Sequence, residues 1–288
     1  MLNNTRKLIQ NGRSGGADLS SVAGLVVAVA GILGGLLLEG GKFSDIVQFT
    51  AAMIVLGGTA GAVMLTTPLP LLIAGVKKLP HVFWDSTPSS NAAVEQILNL
   101  AARARRNGLV SLENDVEHIE DPFLRKALTL AVDGTDLQDL RAIMELELEL
   151  TERRGEAEAR VFEAAGGYAP TIGIIGAVLG LIQVMKHLED MEAVGHGIAV
   201  AFVATVYGVA LANVFLLPVA NKLKLRLQQT LQVKELTLEG VIGIAEGLNP
   251  KLIRGKLAAF ERNESAAEAA QPYPQAGAAA KARTAAVR

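Results

Sequence analysis

Two apolar stretches in the second half of the chain carry polar side chains that could serve an ion path. They read YAPTIGIIGAVLGLIQVM, from Tyr168, and GIAVAFVATVYGVALANVFLLPVA, ending at Ala220, and each is long enough to cross a bilayer as a helix. The Thr205 hydroxyl either bonds back to the preceding turn or faces a passing ion. None of the polar groups in these stretches changes charge near neutral pH: Thr171, Gln183, Thr205, Tyr207 and Asn213. An ion that crosses here therefore needs an acid from a partner chain.

Glycine and proline recur in the same stretches at positions that affect helix packing. Gly173, Gly176 and Gly180 are spaced to share one helix face, which favours either ordinary close packing or contact within a tight oligomer. Pro170 and Pro218 stand near the ends of the stretches, where a proline either caps a helix or bends it. A bend at both ends of a hairpin could act as a hinge.

Two more apolar runs near the amino end complete the set of spans. They extend from Leu19 to Leu38 and from Ile46 to Leu65, and each makes about 30 Å of helix. Hydrophobic residues form 50% of the chain and charged residues 19%, a mixture of lipid-embedded and water-soluble segments. We predict an all-α integral membrane protein with four transmembrane helices and a helical cytoplasmic domain between spans two and three.

The placement of lysine and arginine predicts the orientation of the spans. Two connecting turns, Glu39 to Asp45 and His187 to Gly195, are neutral to acidic and are expected on the outer face. Basic residues precede the first span and follow the second and fourth: Arg6, Lys7, Arg13, Lys77, Lys78, Lys222, Lys224 and Arg226. The long connection and both termini are therefore expected in the cytoplasm.

Helical periodicity continues outside the spans. We predict helices from Asn91 to Arg106, from Pro122 to Val132, and from Leu137 to Phe162, the last running into the third span. The Ala-, Gln-, Pro- and Gly-rich composition beyond Phe260 indicates disorder. The predicted division is a cytoplasmic extension 1–18, a first transmembrane hairpin 19–65, a cytoplasmic helical domain 66–166, a second transmembrane hairpin 167–220, a cytoplasmic helix 221–260 and a disordered tail 261–288.

Residues that perform enzyme chemistry or bind metal are not grouped in this sequence. Cysteine is absent, and the four histidines have no metal-ligand spacing. The string EGGKF departs from a phosphate-binding loop because Lys42 is followed by Phe43 rather than by serine or threonine. We therefore predict no enzyme activity, no metal, no cofactor and no nucleic-acid partner.

A group of charged residues lies in the long connection. Positive and negative side chains form separate patches, which are either a solvated surface or a docking site for a charged partner. The residues are Arg103, Arg105, Arg106, Glu113, Asp115 and Glu117.

Four stretches carry a family resemblance. They are DLSSVAGLVVAVAGILGG from Asp18, IVLGGTAGAVMLTTP ending at Pro68, ARRNGLVSLEND around Gly108, and ANVFLLP at the end of the last run. In this order, with short, long and short connections, they resemble the MotA and PomA family of flagellar motor stator proteins. That family belongs to the MotA/TolQ/ExbB proton channel superfamily.

The resemblance implies partners and roles for particular residues. It implies a pentamer in the bacterial inner membrane around two MotB-like single-span, peptidoglycan-binding partners that supply a membrane aspartate. Arg105 and Glu113, with Arg106, match charged residues that engage a FliG-type rotor protein. Pro170 and Pro218 match prolines that are tied to conformational change.

The resemblance also implies which ion is conducted. Thr205 matches the pore threonine of the fourth span. Sodium-driven members have threonine at the place in the third span where this chain has Ala177. Loss of one hydroxyl ligand makes sodium dehydration harder to compensate, so we predict proton conduction. The predicted ion path contains Thr205, Ala177, Tyr207 and Thr171.

Two alternatives remain open on the sequence. One is an energy-transducing subunit similar to ExbB and TolQ that serves outer-membrane processes, a group with a three-span plan. The other is a membrane scaffold that conducts no ion.

Overall fold

The computed structural model describes residues 18–84 and 89–258, and the regular elements within them are helices. Four of these helices are long and apolar enough to cross a membrane, which confirms the predicted all-α, four-span membrane protein. The predicted amino-terminal extension, except Asp18, and the predicted disordered tail lie outside the described residues.

The first hairpin contains three helices: α1 (Leu19–Leu38), the short α2 (Phe43–Ile46) and α3 (Phe49–Thr66). Gly40 turns the chain after α1 with a φ of 82°, which a residue with a side chain rarely adopts. Span two was predicted to start at Ile46 but starts at Phe49. The difference arises because Val47 and Gln48 are extended and separate α2 from α3.

Short helices follow the second span. They are α4 (Leu69–Lys78), α5 (Pro80–Phe83), α6 (Ser90–Asn107), α7 (Glu113–Val116) and α8 (Pro122–Val132). The predicted helices from Asn91 and from Pro122 are confirmed. Gly108 ends the run of α6 with a φ of 84°.

Two long helices carry the third and fourth spans. Helix α9 (Leu137–Lys186) is continuous, which confirms that the predicted cytoplasmic helix runs into the third span. Helix α10 (Met191–Ala245) includes a wide π turn at Leu211–Leu216. Residues 250–258 form a last helix, α11.

The chain divides into two compact units. The membrane unit takes the described residues up to Ser89 and from Glu145 to Gln232. The smaller unit takes Ser90–Met144 and the described residues from Val233.

Each unit has its own buried apolar core. In the membrane unit, Val63, Phe162 and Leu216 belong to one cluster of buried side chains. In the smaller unit, Gly240 allows the Ile97 side chain to pack against the backbone, because a Cβ at Gly240 would lie 2.6 Å from Ile97 Cγ2. These cores hold the long helices in place within each unit.

Candidate functional site

The third and fourth spans meet along a seam of glycine and alanine. A Cβ at Gly180 would lie 2.6 Å from the Gly197 carbonyl oxygen, and a Cβ at Gly208 would lie 2.5 Å from the Ala169 carbonyl oxygen. Backbone atoms cannot move aside as a flexible side chain can, so only glycine fits at these contacts. Of the two interpretations left open for these glycines, close packing inside one chain is therefore the one observed.

The seam brings Ala177 and Thr205 to the same side of the hairpin. A Cβ at Gly176 would lie 2.7 Å from the Ala204 Cβ, so these two positions face each other. The next residue on each helix is turned by about 100°. Because the two helices are antiparallel, both rotations go toward the same side of the pair. Both side chains are half-buried there.

Thr205 carries the hydroxyl on this side of the hairpin. It donates a hydrogen bond of 3.1 Å to the Ala201 carbonyl oxygen, one turn earlier in the same helix. The back-bond expected for a threonine in an apolar helix is therefore present. A hydroxyl oxygen has two acceptor lone pairs, so Thr205 can still accept a hydrogen bond from outside the helix.

Thr171 lies apart from Ala177 and Thr205. It precedes Ala177 by six residues, which turns it about 120° around the helix. Its hydroxyl is exposed and donates a hydrogen bond of 2.8 Å to the Tyr168 carbonyl oxygen. The structure thus brings together two of the four residues predicted for the ion path.

Tyr207 faces the first hairpin of its own chain. Its hydroxyl donates to the Ile46 carbonyl oxygen and accepts a 3.3 Å hydrogen bond from the Gln48 backbone N–H. Two residues of helix separate Tyr207 from Thr205, a rotation of about 200°. Tyr207 therefore ties span four to the start of span two, on the side opposite Thr205.

Neither predicted hinge proline ends a helix. Pro170 lies inside α9 and Pro218 inside α10, so the helix-cap interpretation is wrong for both. The π turn Leu211–Leu216 ends two residues before Pro218. A proline ring clashes with the carbonyl four residues earlier, and a wider turn gives the ring space.

The charged residues of the smaller unit divide into a paired and an unpaired set. Arg103 forms an ion pair of 2.6 Å with Asp115, which joins the end of α6 to α7. Arg105, Arg106 and Glu113 are exposed. Among the described residues, no oppositely charged side chain lies within ion-pair distance of these three. The unpaired charges are therefore available to another molecule.

An ion cluster around Asp18 was not predicted from the sequence. Asp18 caps α1, and its carboxylate binds Lys222 at 2.6 Å and Arg226 at 2.9 Å. Lys222, the Ser20 hydroxyl and Arg226 hold the pKa of the Asp18 carboxyl far below its ordinary value, against a smaller opposing effect of burial. The helix-capping position of Asp18 could be read from the sequence, but partners more than two hundred residues away could not.

Glu158 is a buried acid of the membrane unit that sequence analysis missed. Its carboxylate is only 8% exposed and contacts Arg154 at 3.3 Å and Lys78 at 3.9 Å. It precedes Pro170 by twelve residues, or about 18 Å of helix. It therefore lies outside the apolar run that contains Ala177. Within residues 18–84 and 89–258, no group of three or more His, Cys, Asp or Glu side chains could hold a metal ion.

Comparison with known families supports the site. Residues 22–108 match the motility protein A N-terminal family, and residues 115–235 match the MotA/TolQ/ExbB proton channel family. The two matches together include all four spans. They also include the unpaired charges and the seam between α9 and α10.

Individual relatives are similar over most of their length. Motility protein A of Bacillus subtilis (strain 168) is 37% identical over 245 residues, which cover 83% of this chain and 89% of that protein. The structure of C. jejuni MotAB matches with a TM-score of 0.81 at 34% identity, over 84% of this chain and 95% of that one. The flagellar MotAB stator complex of Bacillus subtilis matches with a TM-score of 0.78 at 35% identity and the same coverage. This multi-pass membrane protein therefore belongs to the MotA family of flagellar motor stator proteins.

Proposed function

We propose that this stator subunit forms a proton path with a MotB-like partner and converts the proton motive force into torque on the flagellar rotor. The observation that carries the proposal is the α9–α10 seam, which sets Thr205 beside Ala177 on the side away from the first hairpin. Neither apolar run contains an ionisable acid or base other than tyrosine. The solved relatives are MotAB complexes, which supports a second chain as the source of the acid.

The proposed mechanism depends on one carboxylate of the partner. An ionised carboxylate between apolar helices is strongly disfavoured, and protonation removes most of that desolvation penalty. The Thr205 hydroxyl can hydrogen-bond to the carboxyl in either state. Each proton that binds and leaves then changes which contact with the seam is preferred. A potential of 100 mV supplies about 2.3 kcal/mol per proton for this cycle.

We further propose a ring of five copies around two partners, with a bilayer outside. Phe202 is 71% exposed and Val206 48% exposed in the single chain, so apolar side chains of α10 remain to be covered by other helices or by lipid. The partner's peptidoglycan-binding domain would anchor the ring against rotation. Pro170 and Pro218, both within continuous helices, are the proposed points of bending.

The rotor contact is proposed to use Arg105, Arg106 and Glu113. These side chains are exposed, and their neighbours Arg103 and Asp115 already pair with each other. Opposite charges on a FliG-type rotor protein would orient the encounter and speed it.

Charge reversal at Arg105 tests the rotor contact. Arg105→Glu should reduce swimming strongly without lowering the amount of protein in the membrane, because the side chain lies outside the packed core. Arg153→Glu is the matched control, since Arg153 is also an exposed arginine but lies on α9. Charge reversal on the rotor should restore the Arg105→Glu strain. Undiminished swimming of that strain would count against the docking role.

Proton selectivity is proposed from Ala177. Its methyl group offers no oxygen to a dehydrated sodium ion, so Thr205 supplies the single hydroxyl on that side of the hairpin. Swimming speed at fixed pH should be independent of sodium concentration. A steep dependence on sodium would overturn the proton assignment.

The orientation and domain division are also proposed. Both termini and the region 66–166 would be cytoplasmic, with 167–220 lining the path in the bacterial inner membrane. No enzymatic activity is proposed. The four candidate spans disfavour the three-span plan of ExbB-like subunits. A membrane scaffold would instead show no proton dependence.

A further inference from the structure

The segment from α4 through Trp84 in the membrane unit presents an apolar and basic surface that the proposed function does not use. Leu69, Ile73, Val76 and Trp84 are exposed, with Trp84 at 59%. Lys77 and Lys78 are exposed beside them. We call these six residues the surface strip.

The strip is the outer side of an amphipathic pair of short helices. Leu69, Ile73 and Val76 recur at intervals of four and three residues, so they share one face of α4. The opposite face is packed, because a Cβ at Gly75 would lie 3.2 Å from the Glu158 carbonyl oxygen and 3.4 Å from Val161. An apolar stripe on the outside of a helix that is already packed on its inside requires its own apolar surroundings.

Both ends of the strip are fixed at one boundary of the bilayer. Leu69 follows the last residue of span two, Thr66, by three residues. At the other end, the Asp18 N–H donates a 2.7 Å hydrogen bond to the Phe83 carbonyl oxygen, and Asp18 directly precedes span one. The Arg226 guanidinium also donates to the Trp84 carbonyl oxygen. A helix running away from the membrane would carry Trp84 about 20 Å from that boundary, so the strip must run along it.

The charge of this region favours an anionic surface. No aspartate or glutamate occurs between Ile46 and Trp84. Among the described residues Lys77 has no ion-pair partner, and Lys78 approaches Glu158 only to 3.9 Å. Tryptophan at the edge of an apolar surface is typical of the lipid headgroup level.

We propose that the strip binds anionic phospholipids at the membrane surface. Leu69, Ile73 and Val76 lie among the upper acyl chains, Trp84 lies at the headgroup level, and Lys77 and Lys78 contact lipid phosphates. The inference needs only insertion of the four spans in a membrane. It does not depend on proton conduction or on the rotor, so each can fail without the other.

Trp84 is the one tryptophan of the chain, so intrinsic fluorescence reports directly on the strip. The full-length protein would be placed in lipid nanodiscs and quenched either by water-soluble acrylamide or by lipids brominated at stated depths. We expect weak acrylamide quenching and strongest quenching by bromine near the headgroup. Strong acrylamide quenching without lipid quenching would show that water covers the strip and would overturn the proposal. Protection from both quenchers would show that a second copy of the chain covers it, which also overturns it.

A second experiment tests the preference for anionic lipid. Energy transfer from Trp84 to labelled phosphatidylglycerol is compared with transfer to labelled phosphatidylcholine. We expect enrichment of phosphatidylglycerol, reduced by up to about fivefold in Lys77→Gln and retained in Lys77→Arg. Lys251→Gln removes one exposed lysine from the smaller unit and should change nothing. Equal transfer to both lipids in the unmodified protein, or no effect of Lys77→Gln, would contradict the proposal.

Discussion

The two transmembrane hairpins have similar compositions but are held together in different ways. In the second hairpin, Gly180 and Gly208 bring the two backbones into contact. In the first, α1 has no buried residue, and a Cβ added at Gly31 or Gly35 would meet nothing within 4 Å. The same small residues therefore produce a tightly fixed pair of helices in one hairpin and an open helix face in the other.

The first hairpin is instead attached at its ends. On one boundary, Asp18 binds Lys222 and Arg226 of α10. At the start of span two, Tyr207 of α10 binds the backbone of Ile46 and Gln48. The difference suggests a division of work, in which the second hairpin sets the geometry of the proposed ion path and the first follows α10 through polar attachments.

The largest expected effect is a methyl group in the seam. Gly180→Ala places a Cβ against the Gly197 carbonyl oxygen and the Ala201 backbone nitrogen, at 2.6 and 2.7 Å. We expect a loss of about 1 to 3 kcal/mol of stability, the usual range for overpacking, with loss of swimming. Thermal unfolding of the purified protein and swimming in soft agar measure the two effects.

The matched control for this substitution is Gly31→Ala, which adds the same methyl group to the open face of α1. It should leave Tm and swimming nearly unchanged. Equal damage from both substitutions would show that the first hairpin is packed as tightly as the second, and the contrast between the hairpins would be lost.

A smaller effect is expected from the attachment at Asp18. Asp18→Asn keeps the helix cap, because asparagine caps about as well as aspartate, but it removes the charge that binds Lys222 and Arg226. We expect a loss of about 1 kcal/mol, in the range for a charged hydrogen bond near the surface. Asp121→Asn, at another aspartate that caps a helix, serves as the control.

The pH dependence of this difference has a definite sign. The pKa of Asp18 is lowered in the folded protein, so its contribution to stability is present above the ordinary aspartate pKa of about 4. The contribution is lost only as the pH falls below that value toward the lowered pKa. The Tm difference between the unmodified protein and Asp18→Asn should stay constant from about pH 8 to pH 5 and shrink in stronger acid. A difference that disappears near pH 6 would contradict this assignment.

The attachment at Tyr207 should contribute a similar or smaller amount. Tyr207→Phe removes the hydroxyl that bonds to Ile46 and Gln48 and keeps the ring. We expect a loss of about 1 kcal/mol, measured as a decrease in Tm. Tyr168→Phe is the control, since no partner for its hydroxyl is found among the described residues. An unchanged Tm in Tyr207→Phe would mean that this bond does not hold the first hairpin.

The smallest effect on stability is expected at Thr205. Its hydroxyl bonds only within its own helix, so Thr205→Val should change the unfolding free energy by less than about 1 kcal/mol. Swimming speed should nevertheless fall, because the hydroxyl is proposed to contact the partner's carboxyl. Unchanged speed with a lowered Tm would reverse the roles given to Thr205 and Tyr207.

Local periodicity predicted most of the helices in this fold. The run from Leu19 to Leu38 and the helix from Pro122 to Val132 were predicted with the observed ends. The stretch from Met144 to Leu150 alternates glutamate and leucine as a strand does, yet it is helical, as its helix-forming residues and surroundings predicted. These elements depend on residues within one or two turns of each other.

The contacts that sequence analysis missed join distant parts of the chain. Asp18 and Arg226 are 208 residues apart, and Tyr207 and Ile46 are 161 apart. The π turn before Pro218 was also missed, because the apolar pattern there is uniform and shows no change of period. The side of α10 on which Thr205 or Tyr207 lies could be assigned only when the neighbouring helices were in place.

Proton flux into reconstituted vesicles tests the central claim most directly. The chain alone, the chain with its MotB-like partner, and the chain with a partner whose membrane aspartate is changed to asparagine would be compared under an imposed potential. We predict flux only with the unaltered partner, because neither apolar run in the second hairpin contains a carboxylate. Flux through vesicles that contain this chain alone would contradict the claim that the acid comes from a second protein.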